Sequence, residues 1–454
     1  MNNPATLVIN FIKRGTTRSR KIKVNIVYSI FIKGISVITS FLLVPLTLQY
    51  LGTEDYGIWL TLSSIIAWLA FFDFGIGNGL RNLLSEAIAI NDTKLAQTYV
   101  STAYAGLSIV LLVTAILFLS ANLFIDWNIL LNAPLHRNYD LNNLALFVLA
   151  LFLFRMELKL ISTILLADQR TAVSNAFEPI ANILSLIAIY ILTFTTNGSL
   201  ENFIIIVSIS PLIVFIIATV YFFSKDYRQY SPSFKSIKLS YIRKLGGLST
   251  NFFLIQIAVL IIFSTDNLII NRILGPDEVT IYNIAFKYFS INTMGFTIVL
   301  TPFLPAFTEA YLKDDSHWIR RSQRKLLIVW LLILFAVIIM VLFAKPFYRL
   351  WVGAEINIPL LLNIFMALFI LISTWNNIYV YFINSTGKLS IQVIGSLISA
   401  ALNIPVSIFL ARDLNMGTSG VILGTCISLF PGVILGPLQY YKLLNKTAEG
   451  IWSR

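Results

Sequence analysis

The sequence predicts an all-α integral membrane protein of about twelve transmembrane helices, arranged as two pseudo-symmetric six-helix bundles. Three observations carry this. The 454 residues are 57% hydrophobic and only 12% charged, with a mean hydropathy of +0.82; a soluble domain is about 25% charged and needs those groups to cover its surface. The apolar residues fall in blocks of about twenty, the length a helix needs to cross a hydrocarbon layer roughly 30 Å thick. The chain also repeats itself at a shift of 223 residues.

From the N-terminus, residues 1–24 are a basic segment containing Lys13, Arg14, Arg18, Arg20, Lys21 and Lys23. No small-residue cleavage pattern follows the first apolar block, so that block reads as an uncleaved span. Spans are predicted near 26–50, 57–80, 98–121, 141–164, 172–194, 202–223, 247–271, 281–304, 326–345, 357–382, 389–410 and 418–441. The first six make an N-terminal bundle over 25–223, residues 224–246 a linker, the last six a C-terminal bundle over 247–441, and residues 442–454 a tail.

Charge supports the alternation. Lys and Arg cluster before span one, at 225–244 and at 313–325, whereas the segments facing the other side hold only Arg137, Arg272, Lys345, Arg349 and Arg412. This is the positive-inside pattern, and it puts both termini in the cytoplasm. A miscounted helix would invert every later loop, so the agreement along the whole chain also supports an even number. The basic linker with Pro232 reads as a solvated connection anchored to anionic lipid headgroups.

The repeat places LGTEDYGIW (51–59) over LGPDEVTIY (274–282) and LSEAIAIND (84–92) over FTEAYLKDD (307–315). Identities at Gly52/Gly275, Glu86/Glu309 and Asp92/Asp315 fall in polar loops, where low-complexity apolar sequence does not generate them. Each half has an even number of spans, so the halves are expected to be parallel repeats about an axis along the membrane normal, with a substrate path between them.

Ionisable groups at membrane depth are costly and normally face a cavity or a partner. Span one carries Asn25, Ser29, Lys33, Ser36 and Ser40 at spacings of three and four, which brings them to one helical face. Span eight repeats the device with Asn283, Lys287, Ser290, Thr297 and Thr301; span four places Arg155 and Lys159 four apart; span ten has Ser373, Asn377, Tyr381 and Asn384 in a stripe. The candidate cationic lumen is therefore Lys33, Arg155, Lys159 and Lys287, with Asn25, Ser29, Ser36, Asn283, Ser290, Asn377 and Tyr381 as its polar lining. Such a set attracts anions: arginine grips a phosphate through a planar fork and lysine through a mobile point charge. Asp73 and Asp266 are candidate coupling or gating groups. Each is also placed to act as a structural counter-ion, Asp73 to Lys33 and Asp266 to Lys287.

Other chemistries find no support. The lone Cys426 allows no intramolecular disulfide and no cysteine metal cluster, and no metal set, catalytic nucleophile with its base, or cofactor site is predicted. DFGIGNGL (73–80) is glycine-rich, but no strand precedes it and no G-x-x-x-x-G-K follows, so close helix packing explains it better than phosphate binding. His136 and His317 read as interfacial loop residues, and no module carries a basic face for nucleic acid.

LGTEDYGIW followed by DFGIGNGLRNLLSEA, and STDNLIINRILGPDEVTIYNIAFKY in the second half, resemble bacterial polysaccharide exporters of the Wzx O-antigen flippase type, in the multidrug/oligosaccharidyl-lipid/polysaccharide exporter superfamily. The resemblance implies a MATE-like, V-shaped pair of six-helix bundles in the bacterial inner membrane. It implies alternating access that moves undecaprenyl-pyrophosphate-linked oligosaccharide outward, with polysaccharide assembly proteins and membrane lipids as partners and H+ or Na+ as coupling ion. The competing readings are a multidrug or organic-cation exporter of the same fold, which would be expected to present acids, and a membrane-bound polymerase or glycosyltransferase, which would need a larger outward loop bearing catalytic groups.

Overall fold

In lipid, every backbone N–H and C=O must find its partner inside the protein, so blocks this apolar fold as helices. The computed structural model describes residues 17–73, 75–134, 140–245 and 250–453. Within them the chain forms α1 (Thr17–Ala67), a 3-10 segment (Trp68–Asp73), α2 (Ile76–Ala89), α3 (Thr93–Asn122), α4 (Trp127–Leu130), α5 (Leu141–Leu158), α6 (Leu160–Ala167), α7 (Thr171–Thr195), α8 (Leu200–Ser224) and α9 (Ile242–Leu245). There follow α10 (Thr250–Ser264), α11 (Asp266–Leu274), α12 (Pro276–Leu300), α13 (Phe303–Leu312), α14 (Ser316–Trp351), α15 (Leu360–Thr386), α16 (Ser390–Ile408) running into a π-helical turn (Phe409–Asp413), and α17 (Gly417–Leu444). It is a multi-pass membrane protein.

Nine helices among the described residues are long and apolar enough to cross a membrane, or ten when α12 and α13, bent by 41°, are taken as one span. The expected count of about twelve is thus not reached on length and composition. Two breaks account for the difference. Phe31–Ala70 counts once although Gly52 interrupts its helical geometry, and the fourth predicted span is divided at Lys159 into α5 and α6.

The repeat is visible in local geometry. Asp92 caps α3 by accepting a hydrogen bond from the Leu95 N–H at 2.9 Å, and Asp315 caps α14 from the Trp318 N–H at the same distance. The residue before each cap, Asn91 or Asp314, holds a left-handed conformation at φ 58° or 57°. Gly52 (φ 79°, ψ −178°) and Gly275 (φ 98°, ψ 170°), also aligned by the repeat, occupy a backbone region that only glycine visits readily.

The chain divides into two compact units. One comprises Met1–Tyr50, Phe72–Asp126 and Asp140–Gly247, the other Leu51–Phe71, Trp127–Tyr139 and Leu248–Arg454. This corrects the boundaries expected at 25–223 and 247–441, because part of the first half packs with the second. Thr53 donates to Asp277, Thr280 donates to the Thr53 carbonyl at 2.7 Å, and Asn267 donates to Ser64 at 2.7 Å. A methyl group on Gly57 would lie 1.8 Å from the Pro276 carbonyl oxygen, so only glycine allows the two segments to meet. Further along, Arg272 and Asn271 donate to the Ile129 and Leu130 carbonyls.

In the first unit, the segment 224–246, expected as a solvated connection, is held against α3 over its described residues, 224–245. Gln97 donates to the Ser231 carbonyl at 3.0 Å, the Ser233 and Lys238 N–H groups donate to Ser101 and Thr102 at 3.0 and 3.1 Å, and Tyr241 meets Tyr99 edge-on. An added methyl at Gly79 would fall 1.8 Å from the Leu245 carbonyl oxygen. The far end is tied by Arg170, which pairs with Asp168 and Asp226, while the Tyr227 hydroxyl donates to Asp168 at 2.8 Å. Burial first, then the Asp168 carboxylate, pushes the Tyr227 hydroxyl well above its usual range.

In the second unit, Gly420 and Gly424, four residues apart on α17, bring its backbone against Leu410 and Ser407; Gly432 and Gly436 admit Asn376 and Tyr379 of α15. Small residues at this spacing let membrane helices approach closely enough for dispersion forces to hold them.

Candidate functional site

Two cations of the first unit converge on one carboxylate. Arg155, in the last turn of α5, places a single guanidinium nitrogen 2.8 and 2.7 Å from the two oxygens of Glu178 on α7. Lys159, at the α5–α6 break, reaches the same carboxylate at 3.4 Å. Two cations thus share one anion, and the Lys159 side chain remains 55% exposed. The Arg155 Nε is buried and has no acceptor among the described residues. Glu157 projects elsewhere and accepts from Ser108 at 2.7 Å. Asp73 accepts from the Gly75 N–H at 2.9 Å and lies within electrostatic reach of Lys159.

The other candidates stand apart from this cluster. Lys33 is exposed and Lys287 half-buried, and neither has an ion-pair partner among the described residues. The pairings that adjacent helices allowed, Lys33 with Asp73 and Lys287 with Asp266, are absent there. Ser36 is half-buried on α1, and the side chains of Asn25 and Ser29 lie outside the described residues. Lys33 belongs to the first unit with Arg155 and Lys159, and Lys287 to the second.

The second unit holds a buried polar network around Asp266, the first residue of α11. Tyr282 of α12 donates to its Oδ2 at 2.6 Å, and Thr425 of α17 lies 3.3 Å from both oxygens. Asn403 of α16 donates to Thr425 at 3.0 Å and accepts from Thr265 at 3.4 Å. Asn283, one turn beyond Val279, donates to Asn267, which passes its own donor to Ser64. Ser290 donates to the Lys287 carbonyl at 2.8 Å. Asn377 lines a cavity between α10, α15, α16 and α17, whose lining does not include Tyr381.

The model of the polysaccharide biosynthesis protein family matches residues 22–311, well over half of the chain. The chain belongs to this family. A protein of Yersinia pseudotuberculosis named as an O-antigen export protein is 23% identical over 361 residues, covering 78% of this chain and 81% of its own length. A protein of Salmonella typhimurium named as an O-antigen transporter is 25% identical over 414 residues, covering 88% of this chain and 91% of its own. Among solved structures, an inward-facing multidrug resistance MATE family transporter of the MOP superfamily aligns with a TM-score of 0.71 and 14% identity, over 93% of this chain and all of the other. An outward-facing MATE transporter aligns at 0.59 with 16% identity, over 96% and 98%. The fold is therefore MATE-like.

For this member of the polysaccharide biosynthesis family, the sequence pointed to Arg155 and Lys159 but not to the carboxylate that gathers them. Nothing in the spacing of Glu178 along the chain marks it as their partner. Thr425 and Asn403 were missed because single hydroxyl and amide groups in an apolar block give no periodic signal. Gln392 and Gln439 are polar residues within the last two apolar blocks, a signal that the sequence does carry.

Proposed function

We propose that this chain is a flippase that carries lipid-linked, negatively charged oligosaccharide repeat units from the cytoplasmic to the outer leaflet of the bacterial inner membrane, with both its termini in the cytoplasm. The relatives named for O-antigen transport support the substrate class, and the MATE-like fold supports transport rather than covalent chemistry. The observation that carries the reading is the convergence of Arg155 and Lys159 on the carboxylate of Glu178, with the Lys159 side chain still 55% exposed.

In this reading Glu178 is a resident anion that the substrate displaces. A pyrophosphate offers more acceptor oxygens and more charge than one carboxylate, so it competes for the Arg155 fork and the mobile Lys159 head. When the pyrophosphate leaves, Glu178 closes on Arg155 again and keeps the guanidinium from standing unpaired in low dielectric, which favours release. The lipid tail stays in the bilayer while the bundles alternate in access. Asp266 is the proposed coupling group, its two oxygens held by neutral donors that tolerate either H+ or Na+ as driving ion. Lys33 and Lys287 are proposed to extend the cationic path, and polysaccharide assembly proteins to receive the product.

The test is headgroup translocation in proteoliposomes containing a defined polyprenyl-pyrophosphate oligosaccharide, with a pH gradient imposed in one arm and a sodium gradient in the other. Translocation by the native chain, lost in Arg155→Gln at normal membrane abundance, is the expected result. Failure in both arms, together with ready transport of an organic cation, would replace this reading by that of a multidrug exporter.

A further inference from the structure

The cavity in the second unit has a chemistry unlike that of the charged cluster. It measures about 180 Å³ and lies between α10, α15, α16 and α17. No Lys, Arg, Asp or Glu lines it; its walls are aliphatic apart from Phe263, four amides and a few serines. The amides are Asn376, Asn377, Gln392 and Gln439, and all but Asn377 have a buried oxygen that accepts no hydrogen bond among the described residues. Gln439 is wholly buried.

The orientation of two of these amides is set by what their nitrogens do. Gln439 Nε2 donates to the Lys388 carbonyl at 2.8 Å, and Asn376 Nδ2 donates to the Leu429 carbonyl at 3.2 Å. Turning either amide over would set oxygen against oxygen, so both present an acceptor and keep it. The approach of Asn376 is permitted by Gly432, where a Cβ would meet its amide at 2.9 Å. A buried acceptor without a donor is destabilising, and it persists where something else supplies the donor.

We infer that this cavity is a glycan subsite that takes one uncharged sugar residue of the transported repeat unit. Sugar hydroxyls donate to Asn376 Oδ1, Gln392 Oε1 and Gln439 Oε1, and the C–H face of the ring lies on Phe263 and the aliphatic walls. The alternatives fit less well. An anion would find no cation to balance its charge, and a cation no anion, in a chamber lined by neutral groups alone. The inference rests on the proposed flippase activity and concerns a different unit from the Arg155 cluster.

The experiment measures binding of two probes to the full chain in nanodiscs: polyprenyl pyrophosphate carrying a neutral hexose trisaccharide, and the same polyprenyl pyrophosphate without sugar. Gln392→Met removes one acceptor without breaking a hydrogen bond to the backbone. Gly395→Leu fills the chamber, since a Cβ there meets only Leu435 Cδ1 at 3.6 Å, an ordinary contact. Both variants are expected to bind the sugar-free probe like the native chain and the glycosylated probe about fivefold more weakly, or worse, the loss of one neutral hydrogen bond or more. If Gly395→Leu fails to fold, Gln392→Met decides alone. Undiminished affinity of Gln392→Met for the glycosylated probe would overturn the subsite and leave the flippase reading intact. Failure of the native chain to bind either probe would overturn both.

Discussion

Glu178 brings both of its carboxylate oxygens to a single nitrogen of Arg155, at 2.7 and 2.8 Å, joining two helices through residues 23 apart in sequence. Replacing Glu178 by Gln leaves Arg155 without its counter-charge in a half-buried position. The expected destabilisation is about 1–2 kcal/mol, less than for a fully buried pair because water still reaches both partners. The swap Arg155→Glu with Glu178→Arg is expected to recover thermal stability and membrane abundance but not surface glycan. Recovery of export by the swap would show that the pair serves structure alone.

Gly52 and Gly275 hold positive φ with extended ψ, where a side chain collides with its own backbone. Alanine at either is expected to lower stability by about 1–3 kcal/mol. Gly295 is the control: it lies inside α12, a Cβ there meets nothing within 4 Å, and Gly295→Ala is expected to stabilise by about 0.5–1 kcal/mol. Melting midpoints of the three variants in one detergent check the order, and equal midpoints would refute it.

Asp266→Asn keeps an oxygen for the Tyr282 hydroxyl and a polar group for Thr425, so the fold is expected to survive with a change of no more than about 1 kcal/mol. What disappears is the exchangeable charge. Translocation down a substrate gradient is expected to continue, and its acceleration by a proton or sodium gradient to vanish. Continued acceleration would remove Asp266 from coupling.

The linker is held to α3 by four hydrogen bonds that involve only Gln97, Ser101 and Thr102 on the helix side. The triple alanine variant is expected to lose roughly 0.5–1.5 kcal/mol per bond and to loosen the backbone at the exposed Lys235 and Lys238 enough for cleavage. Limited trypsin digestion, timed against the native chain, reads this directly. An unchanged cleavage rate would mean that the linker is anchored by other contacts.

Much of the fold was legible because it follows from transfer energetics. Apolar blocks such as 202–223 must be helices in a membrane, and the identities at Asp92/Asp315 marked a cap that the two halves build in the same way. What escaped depends on backbone conformation and on rotation between helices. The interruption at Gly52 falls in the polar segment expected between spans one and two, whereas Lys159 gives no sign that α5 ends beside it. The same holds at the site. Arg155 and Lys159 were found because cations are rare at that depth, whereas their partnership with Glu178 depends on how α7 turns towards α5, which spacing along the chain does not encode. The expected pair of Lys287 with Asp266 failed for this reason too, since Asp266 turns instead towards Tyr282 and Thr425.

The assignment of Leu51–Phe71 to the later unit has a consequence for biosynthesis. Ser64 leaves the ribosome 203 residues ahead of Asn267, the side chain it bonds. At about 5–20 residues per second, that is a wait of roughly 10–40 s during which Thr53, Gly57 and Ser64 lack their partners from the second half. A nascent chain inserting into the bilayer must therefore park this helical segment against lipid or the insertion machinery until the second half arrives. Fragments separated at the linker would each carry an unfinished core and would find completion only in one another.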